Sequence, residues 1–159
     1  MGDELGARRV ATISALARVS RAKVAQVWEG LSRAHSSVTA ALEKDVPPKA
    51  GIPLGWYDVL AHLSRAPGAM LRFQDLARIA GITDSGASRR LEQMIKAGLI
   101  DRHSCPTDRR GVYAHMTEKG RTAYEKGRAV YMRSVQRNLG RMLKPDEADV
   151  MNAALSRLS

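Results

Sequence analysis

The chain has 159 residues, of which 44% are hydrophobic and only 4% aromatic, and it carries 26 Lys and Arg against 16 Asp and Glu, a formal charge of +10. That length supports one compact domain or one protomer of a dimer, with a core drawn from Leu, Val, Ile, Ala and Met, and the charge points to a polyanionic partner. A single cysteine, Cys105, excludes an intramolecular disulfide, and no run approaches the ~20 apolar residues of a membrane span, so a soluble cytoplasmic protein with no membrane partner is expected.

Apolar or small residues recur at Val10, Ile13, Ala17, Ser20, Val24, Val27, Leu31, Ala34, Val38 and Ala41. The steps of three and four predict one long helix, or two with a break near Ser20. The stripe needs a partner, either within the protomer or on a second copy. Residues 1–50 are therefore read as an N-terminal helical dimerisation segment. A proline-rich break follows, Asp45 to Pro53. A second helix then carries Tyr57, Leu60 and Leu63 and stops at Ala66-Pro67-Gly68, and Met70-Leu71-Arg72 reads as a short extended piece.

Gln74 to Ala80 predicts a short helix ended by Gly81. Thr83 is a good N-cap for the next helix, with Asp84 and Ser85 in its first turn. That helix runs to about Ala97, and Gly98 stops it. Leu99–Ser104 and Val112–Met116 read as strands, separated by a basic tip, Cys105 to Gly111. Thr117 caps a long helix over about Glu118–Met142, and Pro145 opens a last helix. The expected architecture is mainly α with a small β-wing: a winged helix-turn-helix over 53–117, followed by a C-terminal helical dimerisation segment over 118–159.

Residues 72–128 hold 12 Lys and Arg against 7 Asp and Glu, a net of +5, so the middle of the chain is the expected contact surface. Gly86 and Ser88 are small enough to let a helix N-terminus approach a major groove. Arg89 and Arg90 can reach phosphates or base edges. Asp108-Arg109-Arg110-Gly111 puts two guanidinium groups on a ribbon of the kind a narrow minor groove attracts. The candidate DNA contacts are Gln74, Thr83, Asp84, Ser85, Gly86, Ser88, Arg89, Arg90, Asp108, Arg109 and Arg110.

The run LARIAGITDSGASRRLEQMIKAGLIDRHSCPTDRRGVYAHMTEKGR resembles the multiple-antibiotic-resistance regulator (MarR) family, and the similarity extends from Trp28 onward. Its most diagnostic pieces are Lys96-Ala97-Gly98-Leu99-Ile100, the wing Asp108-Arg109-Arg110, and Met116-Thr117-Glu118-Lys119-Gly120. The resemblance implies a homodimer that binds double-stranded DNA at a pseudo-palindrome. It implies a recognition helix starting at Thr83, and Asp108 orienting Arg110 toward the minor groove. It further implies a repressor released by a small aromatic or phenolic ligand, in a pocket between the dimer helices and the winged domain. His35, Trp56, Tyr57 and Arg102 are the candidate linings.

Two residues depart from the family pattern. Arg90 stands where members usually carry an apolar residue, so either the helix is rotated or Arg90 contacts phosphate. Asp84 stands where a basic or neutral polar residue is common, and suits a cap or an acceptor for cytosine N4. Two other classes remain open: a winged helix that binds protein, and a non-specific nucleoid-coating protein. The sequence offers no Gly-rich phosphate loop, nucleophile elbow or acid pair, so neither enzyme activity nor a cofactor is expected. Its four histidines lie far apart in the chain, and no metal site is expected.

Overall fold

The structure, a computed structural model, describes residues 19–79, 84–105 and 108–158. It contains two compact units, one ending at Ser36 and one running from Ser37 to the C-terminus. The first holds the opening part of helix α1 (Arg21–Asp45). Helix α1 begins after Ser20, whose hydroxyl accepts from the Lys23 amide at 3.3 Å, an N-cap; the stripe before it lies outside the described residues. Val24, Val27 and Trp28 on this stretch are exposed, and Arg33 pairs with Glu29 at 3.6 Å.

In the second unit the proline-rich break contains a one-turn helix, α2 (Pro47–Ala50), which the sequence reading passed over. Proline at its first position costs no hydrogen bond, and Gly51 ends it at φ +71°, a left-handed cap that glycine takes without strain. Helix α3 (Leu54–Arg65) follows. It buries Leu54, Tyr57, Val59, Leu60, Ala61 and Leu63, so more than one side is covered.

Strand β1 (Met70–Arg72), helix α4 (Phe73–Ile79), helix α5 (Asp84–Lys96) and strands β2 (Ile100–Cys105) and β3 (Asp108–Met116) make up an α/β part of the second unit. The sheet is antiparallel in the order β1-β3-β2. Leu60 and Leu63 of α3, Leu76 of α4, Met94 of α5 and Ile100 of β2 are fully buried and form its centre. Each such side chain contributes roughly 1.5–3 kcal/mol of transfer free energy.

Helix α6 (Glu118–Asn138) is shorter than expected, giving way to a 3-10 turn at Gly140–Met142. Helix α7 (Pro145–Leu155) begins at the expected proline. Close packing of α6 on α2 and α3 depends on Gly127. A Cβ there would lie 2.8 Å from the Tyr57 ring and 3.0 Å from the Ala50 methyl. Near its other end, Arg137 pairs with Asp45 at the end of α1. A hydrogen bond from buried Ser134, joined by Arg137, holds the Asp45 carboxyl below its ordinary range.

Candidate nucleic-acid interface and the adjoining cavity

Helix α5 has two unlike sides. Leu91 and Met94 are buried, while Ser88, Arg89, Glu92, Gln93 and Lys96 are exposed. Leu91 and Met94 are three apart, and Ser88, Glu92 and Lys96 are four apart with Arg89 and Gln93 beside them, so one side packs and the other faces water. The turn that should precede the helix, with Gly81 and Thr83, lies outside the described residues. Gln74 is exposed on α4, and Gly86 is half-buried on the first turn of α5. Asp84 and Ser85 open α5.

Arg90 does not share the outer stripe. It is half-buried, and its guanidinium lies over Gly55, where an added Cβ would meet Nη1 at 3.0 Å. Asp58, one turn further along α3, is held above the ordinary carboxylate range by burial, and the Arg90 charge opposes that rise. The departure at position 90 thus has a local cause: the arginine fills the space between α5 and α3 that an apolar side chain would occupy, and Gly55 leaves room for it.

The wing is a longer strand pair than expected. Strand β3 begins at Asp108 rather than Val112. Ser104 pairs with Val112 but Cys105 pairs with Asp108, so one step on β2 is matched by four on β3. Arg109, Arg110 and Gly111 are the three extra residues, a bulge of the kind that bends a ribbon and re-aims it. The wing meets the outer stripe of α5 through Arg102 of β2. Its guanidinium lies 3.5 Å from the Glu92 carboxylate and 5.4 Å from the Phe73 ring centre.

Helix α5 and the helix that follows the wing, α6, are locked together. The Thr117 hydroxyl donates to the carbonyls of Gly98 at 2.8 Å and Leu99 at 3.0 Å, and accepts from the Gly120 amide at 3.1 Å. Lys119 Nζ donates to the Ala97 carbonyl at 2.7 Å, closing the last turn of α5. Gly98 turns the chain at φ +71°. A Cβ on Gly120 would stand 2.1 Å from the Leu99 carbonyl oxygen. Two of the three most diagnostic runs, Lys96–Ile100 and Met116–Gly120, are therefore two halves of one joint.

Between α3 and α6 lies a cavity of about 600 Å³. Tyr57, Tyr124 and Tyr131 line one wall, with Tyr57 stacked on Tyr124 at 5.5 Å and on Tyr131 at 5.0 Å between ring centres. Arg65, Arg121 and Arg128 lie around it, against Asp58 and Glu125. Burial raises the Tyr57 and Tyr131 hydroxyl pKa values and lowers that of the His62 imidazole. Of the expected linings only Tyr57 is here. Trp56 packs on the core, Arg102 belongs to the wing, and His35 is exposed on α1 in the first unit. Sequence reading missed Tyr124 and Tyr131, although their spacing of seven on one helix places them on one face.

Asp101, His103 and His115 also come together, which chain distance had hidden. Among the described residues no helix is long and apolar enough to cross a membrane.

Residues 50–111 match the MarR family. The fold is similar to that of AbsC, a MarR-family transcriptional regulator from Streptomyces coelicolor, at 28% identity and TM-score 0.76 over 89% of this chain and 94% of that one. It is similar to Sco3205 from the same organism, a MarR-family regulator solved in complex with DNA, at 24% identity and TM-score 0.76 over 89% and 88% of the two chains. It is also similar to BpsR from Bordetella bronchiseptica, whose DNA binding is regulated by 6-hydroxynicotinic acid, at 22% identity and TM-score 0.70 over 84% and 98%.

Proposed function

We propose that this chain, a winged-helix DNA-binding transcription regulator of the MarR family, works as a homodimer that represses transcription from a pseudo-palindromic operator. The observation that carries the reading is the outer stripe of α5, with Ser88 and Arg89 on it, joined through Arg102 to a wing whose bulge holds Arg109 and Arg110. A helix can enter a major groove by that stripe while the wing meets the adjacent minor groove. Arg89 is assigned to phosphate or base contact. Arg90, lying over Gly55, is assigned to the joint between α5 and α3.

Dimerisation is supported by apolar side chains left in water at both ends of the chain. Trp28 is 69% exposed, Met142 77%, Val150 70% and Leu158 80%. Large apolar groups exposed in each of these segments support a second chain that covers them. The segments that carry them are the ones assigned to dimerisation, residues 1–50 and 118–159.

The cavity suits a small aromatic acid that controls DNA binding. Its volume lies in the ordinary range for ligand sites, roughly 300–1,000 Å³. Tyr124 and Tyr131, held by stacking on buried Tyr57, offer ring surface to an aromatic ligand, and arginines outnumber carboxylates around the cavity by three to two. The regulation of BpsR by an aromatic acid fits this reading.

Selection of bound duplexes from a random pool tests the central claim. A palindromic motif with half-sites about one helical turn apart is expected. Uniform binding to all duplexes would make the protein a coating factor, and no binding at any salt concentration would make the winged helix a protein-binding module.

A further inference from the structure

We propose that Asp101, His103 and His115 form a binding site for a divalent transition metal ion, with Zn²⁺ as the ion that tests it. The sheet itself builds the site. Asp101 and His103 are two apart on β2 and so share one face. His115 lies directly across from Asp101 on β3, and Tyr113 across from His103. The other face carries Ala114 and Met116, which are buried, so the three candidate ligands stand on the outer face, at the base of the wing.

The spacing fits a metal. Bonds of about 2.0–2.2 Å in a tetrahedral shell put neighbouring ligand atoms about 3.3–3.5 Å apart. His103 Nε2 lies 3.3 Å from Asp101 Oδ1, and His115 Nδ1 lies 3.1 Å from the same oxygen. All three ligand atoms fall within 4.8 Å of one another. Both separations lie near that spacing, and a metal would replace the proton that joins His115 Nδ1 to Asp101 Oδ1 in a hydrogen bond and draw the two imidazoles closer. The rings meet edge to face with centres 5.0 Å apart.

Two imidazoles and one carboxylate select zinc, copper or nickel over magnesium or calcium. With three protein ligands the fourth position is left to water, and the side chains are 37–50% exposed, so an ion can enter and leave. Arg72, which donates to the Tyr113 hydroxyl at 2.8 Å on the same face, repels a loosely held cation. Direct metal–ligand bonds overcome that repulsion, whereas a diffuse ion atmosphere would not. A bound metal staples β2 to β3 below the bulge that carries Arg109 and Arg110.

The test uses the full-length, tag-free protein, stripped with a chelator, titrated with Zn²⁺ against a chromogenic zinc indicator, with no DNA present. One zinc per chain is expected, and none of the sites should fill with Mg²⁺. His103→Ala, His115→Ala and Asp101→Asn should each weaken zinc binding more than tenfold, since losing even an outer partner of a metal ligand costs about 10–100-fold. Replacing His35 and His62 together should leave it unchanged. All three ligands are surface residues, and far-UV circular dichroism checks that each variant is folded. Absence of zinc binding, or zinc binding that survives loss of His103 or His115, overturns the proposal. Because no DNA enters the assay, either result leaves the DNA-binding reading where it stands.

Discussion

Replacing Gly120 by alanine probes the joint between α5 and α6. The new Cβ would stand 2.1 Å from the Leu99 carbonyl oxygen, whereas real Cβ atoms essentially never come within 3.0 Å, so one segment must move by about 0.9 Å, the difference. The obstacle is backbone, held by the Thr117 amide at 3.1 Å and the Thr117 hydroxyl at 3.0 Å, so it yields only by giving up those bonds. Overpacking costs typically 1–3 kcal/mol, and each hydrogen bond lost adds about 1 kcal/mol. Better helix propensity returns about 1 kcal/mol. The net loss is about 2–4 kcal/mol, which for a chain of this size lowers Tm by roughly 5–15 °C. Thermal unfolding at fixed protein concentration measures it, since any association of chains makes Tm depend on concentration. Gly30→Ala is the internal control for overpacking within the chain, because nothing in the chain lies within 4 Å of a Cβ at that helical position. It should raise stability by about 0.5–1 kcal/mol. A Gly120→Ala protein melting within 2 °C of wild type would refute the joint.

Arg110→Ala should weaken specific DNA binding by roughly 1–3 kcal/mol in a fluorescence titration; unchanged affinity would remove the wing from the interface. Arg89→Ala should reduce the slope of log K against log salt by about 1, whereas Arg90→Ala should leave the slope alone and lower stability. Equal slopes for wild type and Arg89→Ala would place Arg89 away from phosphate. His62 should make the fold acid-sensitive. Burial depresses its folded pKa below the ordinary 6.5, so the unfolded chain takes up the proton first and stability falls as pH drops below about 6.5. His62→Gln should flatten that part of the stability profile in urea titrations, and an identical profile would discard the assignment. An aromatic acid that releases DNA from wild type should lose its effect in Tyr131→Ala; full release by that variant would move the ligand site elsewhere.

The pieces legible in the sequence were those whose signal is local. Thr117 as a cap, Gly98 as a stop and Pro145 as a helix start needed only neighbouring residues, and the structure places all three as expected. The cavity was only half legible. Tyr57 was found because α3 is read from its own periodicity, but its partners come from α6, more than sixty positions on. Without them, Trp56 and Arg102 looked like equal candidates. Arg90 was visible as an anomaly, and its explanation depended on Gly55, which no spacing rule connects to it. The His103–His115 pair was hidden because strand register, not chain distance, brings the two rings together.

The bulge in β3 has a bearing on how such a protein diverges. Its three extra residues are absorbed between two fixed pairs, Ser104 with Val112 and Cys105 with Asp108. Below it, Ile100 to Ser104 keep their partners whatever the loop above contains. A residue gained or lost at Arg109–Gly111 would otherwise turn every side chain of the ribbon to its opposite face. Here an insertion or deletion changes the tip alone. The tip can thus lengthen, shorten or change its charges while Ala114 and Met116 stay where the interior needs them.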